Sequence, residues 1–165
     1  MLIKMKVYGL TMDPYTNAPI VILKGFDNNN TLPIWIGLLE ASAIATELED
    51  IHPTRPMTHD LLKNILGSVE VSVSRIVVSD LKDNVYYASI HMVKDEENHT
   101  IDARPSDAIA VALRTDSPIF VDEKVFDKAK KTFFEENRTF DGDSSKKWKN
   151  ILESLSPEDF GKYKM

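Results

Sequence analysis

The chain lacks cysteine altogether, and its six glycines are scattered over 165 residues. The first absence excludes disulfides, thiolate metal ligands and cysteine nucleophiles. The second leaves no glycine-rich loop that could cradle a phosphate group. The spacing signatures of zinc proteases, serine hydrolases and zinc fingers are missing as well. Any chemistry therefore has to come from carboxylates, histidines and arginines.

Long apolar runs are also absent. No segment reaches the roughly 20 apolar residues needed to span a bilayer. The first residues, MLIKMKVYGLTMD, alternate lysine with apolar residues as a strand does, and they lack the apolar run of a signal peptide. We therefore expect a cytoplasmic protein without a membrane partner. With 42% apolar and 28% charged residues, the chain has the composition of a globular domain that can bury a core.

The chain also has no excess of positive charge, since its net charge is −6. Residues 1–121 hold 10 Lys and Arg against 16 Asp and Glu, whereas residues 122–165 hold 10 of each. Basic and aromatic residues do not interleave along the sequence. Because proteins bind phosphate backbones through Lys and Arg, we expect only weak non-specific binding of nucleic acid.

The apolar patterns predict an α+β fold with a mixed, largely antiparallel sheet of about five to seven strands and four or five helices, because strands and helices do not alternate strictly. A polar turn is expected at DEENHT (95–100), and Asn-rich residues between two strands predict a hairpin. The stretch TFDGDSS (139–145) is the best linker candidate, with Trp148, Ile151, Leu152 and Leu155 on one face of a following helix. We therefore expect one domain over 1–137, and a linker with a helical extension over 138–165. The predicted strands are 2–10, 19–26, 31–37, 69–81, 85–93 and 118–121, with Ile101 closing another, and the predicted helices are 40–51, 58–67, 105–114 and 122–136.

The stretch IDARPSDAIAVALR (101–114) combines charges with an apolar helix that should be covered on several sides. Pro105 suits the first helical position, which makes Arg104 the cap residue. Asp107 is then the third helical residue and could accept a bond from the Arg104 backbone N–H, as in a capping box. This capping chemistry does not account for Asp102 and Arg104, which could pair with each other or hold an anion above the helix start.

A second stretch, TRPMTHDLLKNIL (54–66), follows the same order of Arg-Pro, hydroxyl residue, acid and apolar helix. Thr58 is a plausible N-cap there. His59 can act as acid or base near neutral pH, and Asp60 is a suitable ligand for a hard cation. Both residues could instead simply occupy the first turn of a helix, where acids are favoured by the helix dipole. A diverged internal repeat is one explanation of the match, but two helix starts with an Arg and an Asp do not depend on it.

Glu40 stands at the rim of the apolar face of the helix predicted over 40–51. Partial desolvation at such a position would raise the pKa of its carboxyl group toward a catalytically useful range.

The segments LPIWIGLLEASAIATELE, RPMTHDLL and DARPSDAIAVALR followed by PIFV, in this order, resemble the bifunctional nuclease domain family. That family includes many bacterial proteins and plant proteins described as having DNase and RNase activity. The resemblance covers about residues 2–135 and leaves the tail outside. It implies a nuclease, and the positions that match its motifs are Glu40, Arg55, His59, Asp60, Asp102, Arg104, Ser106, Asp107 and Arg114.

Two hypotheses follow for these residues. In the first, Asp60, Asp102 and Asp107 hold Mg²⁺ or Mn²⁺, which activates water for phosphodiester hydrolysis of DNA or RNA. The catalytic residues would be His59, Asp60, Asp107 and Glu40, and the phosphate would be bound by Arg55, Arg104, Ser106 and Arg114.

In the second hypothesis, the chain is a non-enzymatic, oligomeric binding or regulatory module. The same charges then form ion pairs that lock helix starts against the sheet and need no substrate. A homodimer is the expected assembly in either case. A weaker third option is a sensor of small anions that uses the helix N-termini.

Overall fold

A seven-stranded mixed sheet is the framework of this computed structural model, which describes residues 1–26 and 30–136, with side chains as far as residue 131. Four helices accompany the sheet in the described residues, so the prediction of an α+β fold is confirmed. In chain order the elements are β1 (Leu2–Met12), β2 (Pro19–Gly25), β3 (Thr31–Trp35), α1 (Leu38–Leu48), α2 (Thr58–Ser68), β4 (Ser72–Lys82), β5 (Val85–Lys94), β6 (Glu97–Ala103), α3 (Pro105–Arg114), β7 (Ile119–Asp122) and α4 (Glu123–Glu136).

The strand order across the sheet is β3-β2-β1-β7-β4-β5-β6. Each neighbouring pair is antiparallel except β4 and β7, which run parallel. Four antiparallel pairs of neighbours are joined directly along the chain, because a short turn suffices between antiparallel strands. Between β4 and its parallel partner β7, the chain forms β5, β6 and α3. Helix α3 therefore comes immediately before the strand that completes the centre of the sheet.

One face of the sheet carries the main core. Met5, Val21 and Ile76 lie on this face and are at most 2% exposed. Ile44 of α1 belongs to the same core, together with residues 108–112 of α3, none of which is more than 1% exposed. The sequence prediction that α3 is covered on several sides is therefore confirmed. Each of the larger of these side chains, such as Ile109 and Val111, contributes about 1.5–3 kcal/mol of burial energy, which fixes α3 against a rigid support.

α1 and α2 flank α3, and all three helices bring their N-terminal residues into the candidate site described below. The cap of α3 is as predicted, with Arg104 at the N-cap and Pro105 in the first turn. The cap of α2 differs, because Met57 occupies the N-cap and Thr58 is already the first helical residue. The Met57 backbone N–H donates a hydrogen bond to the Asp60 carboxylate at 2.9 Å. This carboxylate, three residues after the N-cap, takes the place of the hydroxyl group that was expected to cap the helix.

The prediction of a long polar turn over 95–100 is wrong. Only Asp95 and Glu96, both with positive φ, form the turn, and β6 begins at Glu97 and pairs along its length with β5. Strand pairing supplies backbone hydrogen bonds that outweigh the low strand propensity of these polar residues. The hairpin between β2 and β3 is formed, although its predicted turn residues 27–29 lie outside the described residues. The predicted linker and helical extension over 138–165 lie outside them too, and the boundary at 137 stays a prediction.

No helix between residues 1 and 136, as far as it is described, is long and apolar enough to cross a bilayer.

Candidate functional site

Four of the predicted site residues form one chain of hydrogen bonds, named here the His59 cluster: Glu40, Arg104, Asp107 and His59. Arg104 donates from Nη1 to Glu40 Oε1 and from Nε to Asp107 Oδ2, both at 2.7 Å. His59 Nε2 lies 3.0 Å from Asp107 Oδ1. Glu40 belongs to the first turn of α1, His59 to that of α2 and Asp107 to that of α3, so three helix starts meet at this point.

Asp107 is the centre of the cluster. Its burial alone would raise the pKa of the carboxyl group, but the hydrogen bonds from Arg104 and His59 hold that pKa below its ordinary value. Asp107 is therefore ionised at neutral pH, and both of its oxygens are engaged. The expected capping bond to the Arg104 backbone is not formed, since Asp107 Oδ1 is bonded to His59 and Oδ2 to the Arg104 side chain. The carboxylate binds the guanidinium and the imidazole instead, because bonds between charged groups are stronger than a bond to a backbone amide.

Arg104 lies at the rim of an open cleft of about 260 Å³. Its side chain is 65% exposed, and its pKa is raised because Asp107 and Glu40 bond its guanidinium. Ser106 also lines the cleft but is itself only 6% exposed. Tyr86 forms part of the wall, where burial raises the pKa of its hydroxyl to about 12, so it stays neutral. The cleft thus joins a cationic rim to the N-terminus of α3, an arrangement that suits an anion.

A second pair, Asp60 with Arg114, lies between α2 and α3 and has a different character. Arg114 donates from Nε to Asp60 Oδ1 at 2.6 Å and from Nη1 to the Ala110 carbonyl at 3.0 Å. The hydrogen bond from Arg114 holds the pKa of Asp60 below its ordinary value, against the opposing effect of burial. The Arg114 side chain is only 4% exposed, so it is placed as an ion pair that fixes α2 against α3 and is not at the cleft.

Two predicted site residues lie apart from the His59 cluster. In β6, Ile101 pairs with the core residue Ile90, and the alternation along the strand turns Asp102 to the other face of the sheet, opposite Ser89. Arg55 lies in the exposed loop before α2 and has no hydrogen-bond or ion-pair partner among the described residues. Both residues are close to a helix start in the sequence. The alternation of β6 nevertheless turns Asp102 away from the cluster, and Arg55 lies in an exposed loop.

The predicted metal ligands do not fit a magnesium site in this arrangement. Asp60 and Asp107 belong to different ion pairs, and both oxygens of each carboxylate are already bonded. Asp102 is on the opposite face of the sheet. Over the part of the chain that the structure describes, no three histidine or acidic side chains are grouped so that they could hold a metal ion.

Sequence reasoning missed two residues that shape the site. Glu47 lies 4.0 Å from Arg114 Nε, and its spacing of seven residues from Glu40 would have placed both on one face of α1. Gly37 precedes α1, and the Glu40 carboxylate folds back against it so closely that a methyl group there would overlap the carboxylate. No pattern in the sequence signals this close approach, because glycine is also common at helix starts for other reasons.

A family model and several plant relatives of this chain carry the same domain name. A family model described as the bifunctional nuclease domain matches residues 21–133, which include the whole His59 cluster. A Mycobacterium tuberculosis protein named as uncharacterized is 34% identical over 162 residues, 95% of this chain and 97% of that protein. Bifunctional nuclease 1 of Oryza sativa subsp. japonica is 26% identical over 109 residues, 64% of this chain and 33% of the rice protein. Bifunctional nuclease 1 of Arabidopsis thaliana is 26% identical over 119 residues, 70% of this chain and 37% of the Arabidopsis protein.

Proposed function

This chain belongs to the bifunctional nuclease domain family, and from that premise we propose that it hydrolyses phosphodiester bonds of DNA or RNA at the His59 cluster. The observation that carries the proposal is the bond between His59 and the ionised Asp107, beside Arg104 at the rim of an open cleft. A histidine oriented by a carboxylate next to an anion-binding helix start is a combination suited to cleaving a phosphate ester.

His59 is the proposed general base. An ionised carboxylate can only accept hydrogen bonds, so Nε2 carries the proton toward Asp107 and Nδ1 keeps a lone pair. Water gives a proton to Nδ1 while its oxygen bonds to phosphorus. The bond from phosphorus to the leaving oxygen breaks and that oxygen takes a proton from the solvent, while the imidazolium later releases the proton it took from water. Asp107 stabilises the imidazolium that forms, because it stays negatively charged.

Arg104 is the proposed phosphate-binding residue. Its Nε and Nη1 groups bond Asp107 and Glu40, while within the described residues nothing is bonded to Nη2. That amino group can donate to a non-bridging phosphate oxygen, and the positive end of the α3 dipole favours the same anion. Glu40 orients the guanidinium from the side opposite Asp107. Ser106, at the back of the cleft, is a proposed additional donor.

The requirement for Mg²⁺ or Mn²⁺ stays an untested prediction, and because the pairing of the carboxylates does not support a metal site here, no step is assigned to either ion. Adding the metal or chelating it during a cleavage assay tests this directly. If cleavage requires Mg²⁺, the ion pairs of Asp107 or Asp60 must open, and the arginine contacts described above would change on metal addition.

The decisive experiment compares two histidines that each face an aspartate at 3.0 Å. His59 with Asp107 is largely buried, with the His59 side chain 13% exposed, whereas His52 with Asp50 is on the surface, with the His52 side chain 75% exposed. We expect His59→Gln to lower the rate of cleavage of a fluorescent oligonucleotide at least about 100-fold. His52→Gln should retain the full rate. Equal rates in the two variants would refute the assignment, and both DNA and RNA substrates should be tried.

The second candidate is a non-enzymatic oligomeric module. It is favoured by α2, whose apolar residues Leu61, Leu62 and Ile65 are 38–51% exposed and which has no buried residue. Soluble monomers rarely expose large apolar patches. If His59→Gln changes nothing while Leu61→Ser converts a sedimenting dimer to a monomer, this candidate replaces the first. The homodimer and the cytoplasmic location stay predictions.

A further inference from the structure

A group of lysines and aromatic rings occupies the outer face of β1 and β2, opposite the main core. It is named here the lysine–aromatic face and consists of Lys4, Lys6, Tyr8, Lys24 and Phe26. Met5 and Val7 point to the core, so the strand period of two turns Lys4 and Lys6 outward. Lys6 is paired directly with Lys24 of β2. Strand pairing therefore joins two basic and aromatic segments that are far apart in sequence.

The rings and ammonium groups of this face are in mutual contact. Lys24 Nζ lies 3.5 Å from the centre of the Tyr8 ring, and Lys4 and Lys6 lie 5.3 Å and 5.7 Å from the centre of the Phe26 ring. All three distances are within the range of cation–π attraction. Phe26 is 55% exposed, so a partner can reach this residue from the solvent.

A bulge in β1 sets the position of Tyr8. The pairing with β2 passes from Val7 opposite Leu23 to Gly9 opposite Ile22, which leaves Tyr8 as the extra residue. A bulge of this kind redirects one side chain and increases the local twist. The ring of Tyr8 is thereby placed beside Lys24 of the neighbouring strand.

The charge of this face is opposite to that of the protein. β1, β2 and β3 contain three lysines and no acidic residue, although the whole chain has a net charge of −6. Two adjacent lysines directly across a strand pair repel each other, which costs stability unless an anion is bound. A face of this composition therefore suits a partner that brings both negative charge and flat apolar surfaces.

We propose that the lysine–aromatic face binds single-stranded nucleic acid, an inference that rests on the proposed function for its substrate class. The three lysines contact phosphates, and bases stack on Phe26 and Tyr8. Stacking on protein rings requires unpaired bases, so a duplex is a poorer ligand for this face. In the free protein the ammonium groups lie over the rings; when a strand binds, they turn to its phosphates and the bases take their places.

The lysine–aromatic face and the His59 cluster lie on opposite sides of the sheet. The helices that carry the cluster pack on the core face, whereas the lysines point away from it. Binding at the face can therefore be measured without cleavage. This separation also predicts that the face affects the affinity for longer strands and leaves the bond-breaking step unchanged.

The test is a fluorescence anisotropy titration of a single strand of about 12 nucleotides, with His59→Gln in every protein so that the probe is not cut. We expect K6Q/K24Q to weaken binding about tenfold and to reduce the salt dependence by about 1.4 in log–log slope, since two phosphate contacts are lost. The matched control K63Q/K94Q removes the same charge from exposed positions elsewhere and should leave binding within about twofold of its parent. Phe26→Leu should weaken binding about fivefold, and Tyr15→Leu, at another exposed aromatic residue, should not.

Heparin, a polyanion without bases, and a duplex of the same sequence complete the test. The proposal is overturned if K63Q/K94Q weakens binding as much as K6Q/K24Q. It is equally overturned if Phe26→Leu leaves the affinity for the single strand unchanged or lowers the affinity for heparin to the same extent. If the variants bind as expected but the protein with His59 intact never cleaves DNA or RNA, the proposed nuclease function is refuted. The proposal that the lysine–aromatic face binds single strands is then retained.

Discussion

Replacing Asp60 and Asp107 by alanine, one at a time, should separate stability from activity. Both aspartates occupy the third position of a helix and both bond an arginine. They differ in the burial of that arginine, because the side chain of Arg114 is 4% exposed and that of Arg104 is 65% exposed. The same substitution therefore leaves a buried charge in one variant and a hydrated charge in the other.

For Asp60→Ala, the cost is set by Arg114, which remains charged and buried. Removing one partner of a buried ion pair costs about 3–5 kcal/mol of unfolding free energy. Glu47, 4.0 Å from the guanidinium, offsets part of the lost interaction. We therefore expect a loss near the lower limit, about 3 kcal/mol.

For Asp107→Ala, Arg104 stays hydrated and keeps its bond to Glu40, so the main structural loss is the hydrogen bond to His59. A hydrogen bond to a charged group contributes about 1.5–3 kcal/mol, and we expect a loss near the lower limit because no buried charge is left behind. Cleavage should nevertheless fall at least about 100-fold, because His59 loses the group that orients it and stabilises its charged form. Asp60→Ala should keep most of its activity at temperatures where it is folded.

Urea unfolding followed by tryptophan fluorescence and circular dichroism gives both stabilities, and a shift of the midpoint at constant slope isolates the change in free energy. The cleavage rate is measured on the same preparations. The reasoning fails if Asp107→Ala is destabilised as much as Asp60→Ala, because exposure of the arginine would then not set the cost. It also fails if Asp60→Ala is the variant that loses activity while Asp107→Ala keeps it.

Three further outcomes are expected. Gly37→Ala should push the Glu40 carboxylate away from Arg104 and raise the KM for oligonucleotide several-fold at nearly unchanged kcat; a Gly67→Ala control, where a methyl group meets open space, should leave KM unchanged. The bond from Lys128 lowers the pKa of Asp80 to about 2, so its stabilising effect is complete above about pH 4 and is lost as the pH falls toward 2; Asp80→Asn should flatten the acid limb of a melting-temperature profile, and an unchanged limb would contradict this. Chelation of divalent ions should leave the His59-dependent cleavage rate within about twofold if the base assigned here suffices, whereas complete loss of that rate would restore the metal-assisted mechanism.

Most of the fold was predictable because it depends on local patterns. Alternation in β1 and helical spacing in α1 and α4 are properties of short segments, and they gave the correct element types. The turn before β6 was misjudged, because its polar residues are held in a strand by pairing with β5, which no local pattern reveals.

Within the site, the sequence by itself determined which residue types could act: two helix starts with arginine, aspartate and histidine, and no cysteine or glycine loop as a competitor. Only the tertiary structure decided their partners. It joined His59 to Asp107 across two helices, gave Asp60 to the buried Arg114, and turned Asp102 to the other face of the sheet. The physical reason is that a carboxylate binds whichever cation the packing brings within about 3 Å, and that distance is not encoded in spacing along the chain.

The lysine–aromatic face shows the same division. The sequence contains Lys4, Lys6 and Tyr8 in one segment and Lys24 with Phe26 in another, and neither segment alone interleaves basic and aromatic residues densely enough to indicate a binding surface. Antiparallel pairing with a bulge at Tyr8 places them side by side. Composition set the available chemistry, and sheet register, through the two-residue period of a strand, set which side chains share a face.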